Sequence, residues 1–178
     1  MEILEQFFEE CFLYRAFKHG DDRGEFVKVW QNSILKGTDV NFSMKECFWS
    51  VSSKASIRGM HIVSPPNQCK KVITCQRGKI LDVILDLRKK SSTYGKSYSV
   101  ILSSENNKAI FIAEGFAHGF QSLEDNSQTL YMTSSEYNYK FDKGVHWSSF
   151  GFKWPLAPTF ISDKDKVQPF FESYISPF

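Results

Sequence analysis

The sequence predicts an all-β domain, a sandwich or barrel of short strands. Between residues 46 and 134, β-rich runs recur at 46–52, 70–76, 80–87, 97–103, 108–113, 117–123 and 128–134. Turn-forming residues separate them, at Pro65-Pro66-Asn67, Arg77-Gly78, Tyr94-Gly95, Glu105-Asn106-Asn107 and Glu124-Asp125-Asn126. Many short strands at even spacing close into two packed sheets or a barrel. Aromatic residues make up 16% of the chain, with 17 Phe, and aromatic side chains suit pleated, half-buried surfaces.

In chain order, residues 2–17 are apolar and acidic. Ile3, Leu4, Phe7 and Phe8 have helix-compatible spacing, and helix and strand stay open there. Gly20-Asp21-Asp22-Arg23-Gly24 is a turn, since Gly and Asp tolerate the backbone angles a turn needs. Glu25–Gln31 alternates imperfectly and reads as a strand. Ile80–Leu87 is nearly all apolar, which places it in the middle of a sheet with both faces covered. Beyond Trp154-Pro155 the chain is loop-rich, with one helical turn near Ser162–Lys166. No repeat or linker divides the chain, so residues 1–178 read as a single domain.

Bulk properties narrow the function. A net charge of +2 with no basic stripe argues against nucleic-acid binding. Cys11, Cys47, Cys69 and Cys75 form no C-x-x-C pair, so they read as reduced thiols of a cytoplasmic protein rather than zinc ligands. The acidic N-terminus lacks the pattern of a secretory signal, and no apolar run approaches membrane-spanning length. No G-x-G-x-x-G or P-loop is present, and the four histidines have no metal-ligand spacing, so neither a cofactor nor a metal is expected.

A few side chains could carry chemistry. His61 lies in a strand-like run, Arg58-Gly59-Met60-His61; a lone His there is more often structural than catalytic. Arg58 and His61 would point to opposite faces of a regular strand, unless a bulge at Gly59 re-aims one. Lys70 and Lys71 are adjacent, so one faces in, and an inward lysine needs an anion to offset its desolvation. His118 sits in Glu114-Gly115-Phe116-Ala117-His118-Gly119-Phe120, whose glycines allow close approach of backbone or ligand. Tyr131 reads alone as a core tyrosine and Asp165 as a surface acid or helix cap. Together, base, cation, second His and phenol suit removal of a proton beside a ketone and its return on the other face.

These runs, with Asp86-Leu87-Arg88, Ser92-Thr93-Tyr94-Gly95, Leu130-Tyr131-Met132-Thr133 and Asp163-Lys164-Asp165, resemble the dTDP-4-dehydrorhamnose 3,5-epimerase family. The resemblance runs from about Asp21 to Asp165. It implies a cupin-type, jelly-roll barrel with short C-terminal helical segments, and an isomerase that needs no cofactor. It also implies roles. His61 matches the catalytic base, Asp165 the carboxylate that orients it, Tyr131 the acid on the opposite face and Lys71 the cation beside the enolate. His118 and Tyr137 match pocket residues, and Arg58 a diphosphate ligand. Arg23 and Phe26 match nucleotide contacts that the family donates across a strand-exchanged homodimer.

Several positions depart from the family pattern. Lys28 stands where a glutamate is usual near the base. Glu46 and Phe48 replace polar ligand contacts, Val63 replaces a Gln, and Met132 a Lys. A changed donor and acceptor set alters which base can pair. The variant pattern resembles epimerases of GDP-linked 4-keto-6-deoxy-heptoses in capsule biosynthesis, with the dTDP-linked hexose as the alternative substrate. A C3-only epimerase, a 3,4-ketoisomerase, a metal-dependent oxygenase and a non-catalytic sugar-nucleotide-binding cupin are the remaining alternatives.

Overall fold

The structure, a computed structural model, describes residues 1–38 and 40–178. Its thirteen strands are β1 (Glu2–Phe8), β2 (Cys11–Arg15), β3 (Phe17–Asp21), β4 (Gly24–Lys28), β5 (Glu46–Ser52), β6 (Ile57–Val63), β7 (Lys71–Arg77), β8 (Lys79–Asp86), β9 (Ser97–Ser103), β10 (Lys108–Ile112), β11 (Phe116–Ser122), β12 (Ser127–Thr133) and β13 (Asp142–Gly144). One α-helical turn, α1 (Asp163–Lys166), follows. Two antiparallel sheets face each other, ordered β1-β2-β10-β7-β12-β5 and β13-β6-β11-β8-β9. This is the all-β jelly-roll architecture expected, including the helical turn near the C-terminus.

Strand alternation sorts the apolar residues into three layers. Leu13, Ile73, Ile80, Ile84, Ile110 and Phe120 fill the space between the sheets. Phe12, Tyr14, Val72 and Phe111 line the outer face of the first sheet, where Trp30, Ile34 and Phe42 cover them. Met60, Ile62, Val83 and Leu85 line the outer face of the second, under Phe152, Trp154 and Phe171 of the C-terminal segment. Ile80–Leu87 is therefore buried on both faces, as its apolar run predicts.

The 2–17 segment resolves as strands. In β2, Cys11 and Leu13 enter the inner core while Phe12 and Tyr14 enter the outer layer. Burial of both faces erased the alternation that marks a half-buried strand. The predicted strand at Glu25–Gln31 ends at Lys28 and pairs only with β3, in a two-stranded hairpin outside both sheets. Residues Asn32–Leu35 instead form a 3-10 turn.

Candidate active site

A cavity of about 1080 Å³ opens between the sheets at one end. The second sheet contributes His61 and His118, which are direct cross-strand partners of β6 and β11. The first sheet contributes Lys71 from β7 and Tyr131 from β12. The base and acid candidates thus come from opposite walls.

Arg58 also lines the cavity, although it lies three residues from His61. Along β11 their partners, Phe120 and His118, are only two residues apart. The extra residue on β6 is a bulge that brings both side chains to one face. Gly59 makes it possible. Its φ is +128°, and a Cβ there would lie 2.5 Å from the Gly119 Cα and 2.9 Å from the His118 carbonyl oxygen.

Asp165 is not the surface acid that its local sequence suggests; it is buried and lines the cavity. Ser162 caps α1, with its Oγ accepting from the Asp165 amide at 3.1 Å. One carboxylate oxygen lies 2.6 Å from His61 Nε2, and the other accepts from the Gly59 amide at 3.1 Å. Burial alone would push the Asp165 carboxyl up. The hydrogen bonds from His61, Gly59 and Ser162 outweigh burial and hold it below the ordinary carboxylate value. An ionised carboxylate only accepts, so His61 donates through Nε2 and keeps Nδ1 as its basic nitrogen.

Lys71, the first residue of β7, faces inward, and Lys70 just before it faces outward. Lys70 Nζ donates to Asn41 Oδ1 at 2.9 Å, while Lys71 Nζ donates to the His61 carbonyl at 3.3 Å. Burial pushes the Lys71 ammonium below the ordinary lysine value, and nearby Cys69, Asp142 and Asp82 oppose that shift. Burial pushes the Tyr131 phenol well above 10, so it stays protonated and can donate.

His118 has a partner that the sequence reading did not name. Its Nε2 lies 2.7 Å from Asp82 Oδ2, with both side chains buried. Asp82 sits between Ile80 and Ile84 on the inner face of β8. A carboxylate in the middle of so apolar a run was the available signal, because a buried acid needs a partner. Burial pushes the Asp82 carboxyl up, and His118 and Lys71 only partly offset it.

Strand β5 walls the cavity with Glu46, Phe48, Ser50 and Ser52, joined by Cys47 and Val51. Glu46 Oε1 accepts from the Tyr137 amide at 2.9 Å, which ties down the loop carrying this exposed ring. Ser52 Oγ accepts from Arg58 Nε at 3.0 Å, and the Val51 carbonyl accepts from Arg58 Nη2 at 3.1 Å. These contacts hold the guanidinium at the cavity mouth.

Arg23, Phe26 and Lys28 do not join this site within one chain. They belong to the exposed β3–β4 hairpin, where Arg23 pairs with Asp21 and Lys28 stands over the Phe17 ring. Among the described residues, no group of three His, Cys, Asp or Glu side chains could hold a metal ion. No helix among them is long and apolar enough to cross a membrane.

Known proteins match nearly the whole chain in sequence and fold. The family model described as dTDP-4-dehydrorhamnose 3,5-epimerase matches residues 5–173. The enzyme of that name from Shigella flexneri is 33% identical over 170 residues, covering 93% of each chain. The crystal structure of the Bacillus anthracis enzyme, with TDP and pyrophosphate bound, superposes with a TM-score of 0.90 at 32% identity, over 95% of this chain and 98% of that one. The Legionella pneumophila enzyme, in complex with dTDP-4-keto-L-rhamnose, gives 0.91 at 27% identity, over 97% and 93%. The chain is therefore a sugar-nucleotide epimerase and belongs to the dTDP-4-dehydrorhamnose 3,5-epimerase family.

Proposed function

We propose that the chain inverts C3 and C5 of a dTDP-linked 4-keto-6-deoxyhexose through an enolate. The carrying observation is the placement of His61 with its Asp165 carboxylate on one wall and the protonated Tyr131 on the other. His61 Nδ1 takes the proton from the carbon beside the ketone, and Asp165 stabilises the resulting imidazolium. The C–H electron pair moves into the carbonyl, and Lys71 offsets the negative charge on its oxygen. One such preorganised donor is worth roughly 3–4 kcal/mol in the transition state. Tyr131 then delivers its proton to the opposite face, forming the new C–H bond. Proton exchange with water resets His61 and Tyr131.

The GDP-linked heptose expected from the altered positions finds no counterpart among the relatives above, whose names and ligands are thymidine-linked. The dTDP-linked hexose replaces it as the proposed substrate. Arg58 binds the diphosphate at the cavity mouth. The projecting β3–β4 hairpin, with Phe17 and Phe26 exposed, supports a strand-exchanged homodimer in which Arg23, Phe26 and Lys28 reach the partner's nucleotide site.

Proton NMR in deuterium oxide with dTDP-4-keto-6-deoxyglucose tests this reading. Loss of both the C3 and C5 proton signals, with a new epimer, is expected. Exchange at C3 alone would make it a single-site enzyme. No exchange with this sugar, but exchange with the GDP-linked heptose, would overturn the substrate.

A further inference from the structure

Phe48 holds a place that the proposed chemistry leaves unused. It is the direct cross-strand partner of Tyr131, with β5 and β12 in register. The two rings stack with centroids 4.8 Å apart and planes 13° from parallel. The Tyr131 and His118 rings meet in a T-shaped arrangement, with centroids 6.2 Å apart and planes at 77°. Phe48 thus covers one face of the phenol, and His118 packs against the same ring. Phe48 is 45% exposed and lines the cavity. Its free surface is therefore turned toward the substrate space rather than into the core.

We propose that Phe48 is a positioning residue for Tyr131, setting the ring plane from which the proton is delivered. This rests on the proposed roles of His61 and Tyr131. An acid must point its O–H along the line to the carbon that it protonates, and a phenol free to turn about its ring axis does so only part of the time. Offset stacking against a cross-strand partner restricts that motion. The base side of the reaction, on the other sheet, makes no use of this stack. Loss of Phe48 should therefore slow inversion while leaving proton removal intact.

The test is Phe48→Leu, which keeps an apolar side chain on an edge strand but removes the stack, with Phe48→Tyr as the variant that keeps it. Each is incubated with dTDP-4-keto-6-deoxyglucose in deuterium oxide. Deuterium incorporation reads proton removal, and the appearance of epimer reads inversion. Phe48→Leu should lose about three- to tenfold in inversion relative to exchange, and Phe48→Tyr should keep the wild-type ratio. A parallel fall in both rates, an unchanged ratio in Phe48→Leu, or the same deficit in Phe48→Tyr would overturn the proposal. Wild-type protein that exchanges no proton would overturn the proposed function instead, and that outcome is read from the wild-type sample alone.

Discussion

Arg58 and His61 share one face of β6 although three residues separate them. The bulge at Gly59 therefore couples the cation at the cavity mouth to the proposed base within it. The same residue's amide donates to Asp165, which also holds His61. One irregularity in a single strand thus sets three functional groups.

Gly59→Ala tests that coupling. The new methyl would meet the Gly119 and His118 backbones at 2.5 and 2.9 Å, at a φ that L-residues rarely adopt. Backbone cannot yield as a flexible side chain would. The cost should be roughly 3 kcal/mol or more, read as a lower denaturation midpoint. Activity should fall further than stability explains, because both His61 and Arg58 move.

Asp165→Asn should cut kcat by on the order of 10²-fold, since the uncharged amide no longer stabilises the imidazolium. It also changes stability with pH. The folded carboxyl titrates below its unfolded value, so its ionised form stabilises the fold at neutral pH. Wild type should exceed the variant by about 1.5–3 kcal/mol at pH 7. The gap should narrow as pH falls below about 4, toward the folded carboxyl's own titration. Urea melts of both proteins at pH 7 and pH 3 measure it; a constant gap would contradict the assignment.

Most of the sandwich was legible because alternation and turn residues mark half-exposed strands such as β5 and β12. β2 was not, because Phe12 and Tyr14 are covered on the face where polar residues would have revealed the period. His61, Lys71 and Tyr131 could be named by residue type, and the resemblance supplied their roles. Asp165 looked like a helix cap because nothing local shows that α1 folds against β6. Asp82 was hidden for a related reason, since its partner His118 lies 36 residues away. Arg23, Phe26 and Lys28 form a third case. Their proposed role belongs to an assembly, so contacts within one chain do not display it.

Lys71→Met removes the cation and keeps the length of the stem. If Lys71 steadies the enolate, both proton exchange and inversion should fall by about 10²–10³-fold, because enolate formation precedes both. Stability should hold or rise, since a desolvated ammonium disfavours folding. This pattern differs from that of Phe48→Leu, where only inversion suffers. Exchange and epimer formation measured on one sample separate the two.

Asp82→Asn addresses the buried pair with His118. The Asp82 carboxyl titrates above its unfolded value in the fold, so its ionised form opposes folding. That penalty is absent below about pH 4, where both states are protonated, and it grows as pH rises toward the folded pKa. An amide of the same shape carries no such penalty. The variant should therefore match wild type near pH 3 and gain on it as pH rises to 8, with denaturant midpoints as the measure. Activity should move the other way, because a neutral amide holds His118 beside Tyr131 less firmly than the carboxyl group does. A fall of about 10–100-fold in kcat is expected. A variant both less stable at pH 8 and fully active would show that Asp82 serves the fold rather than the site.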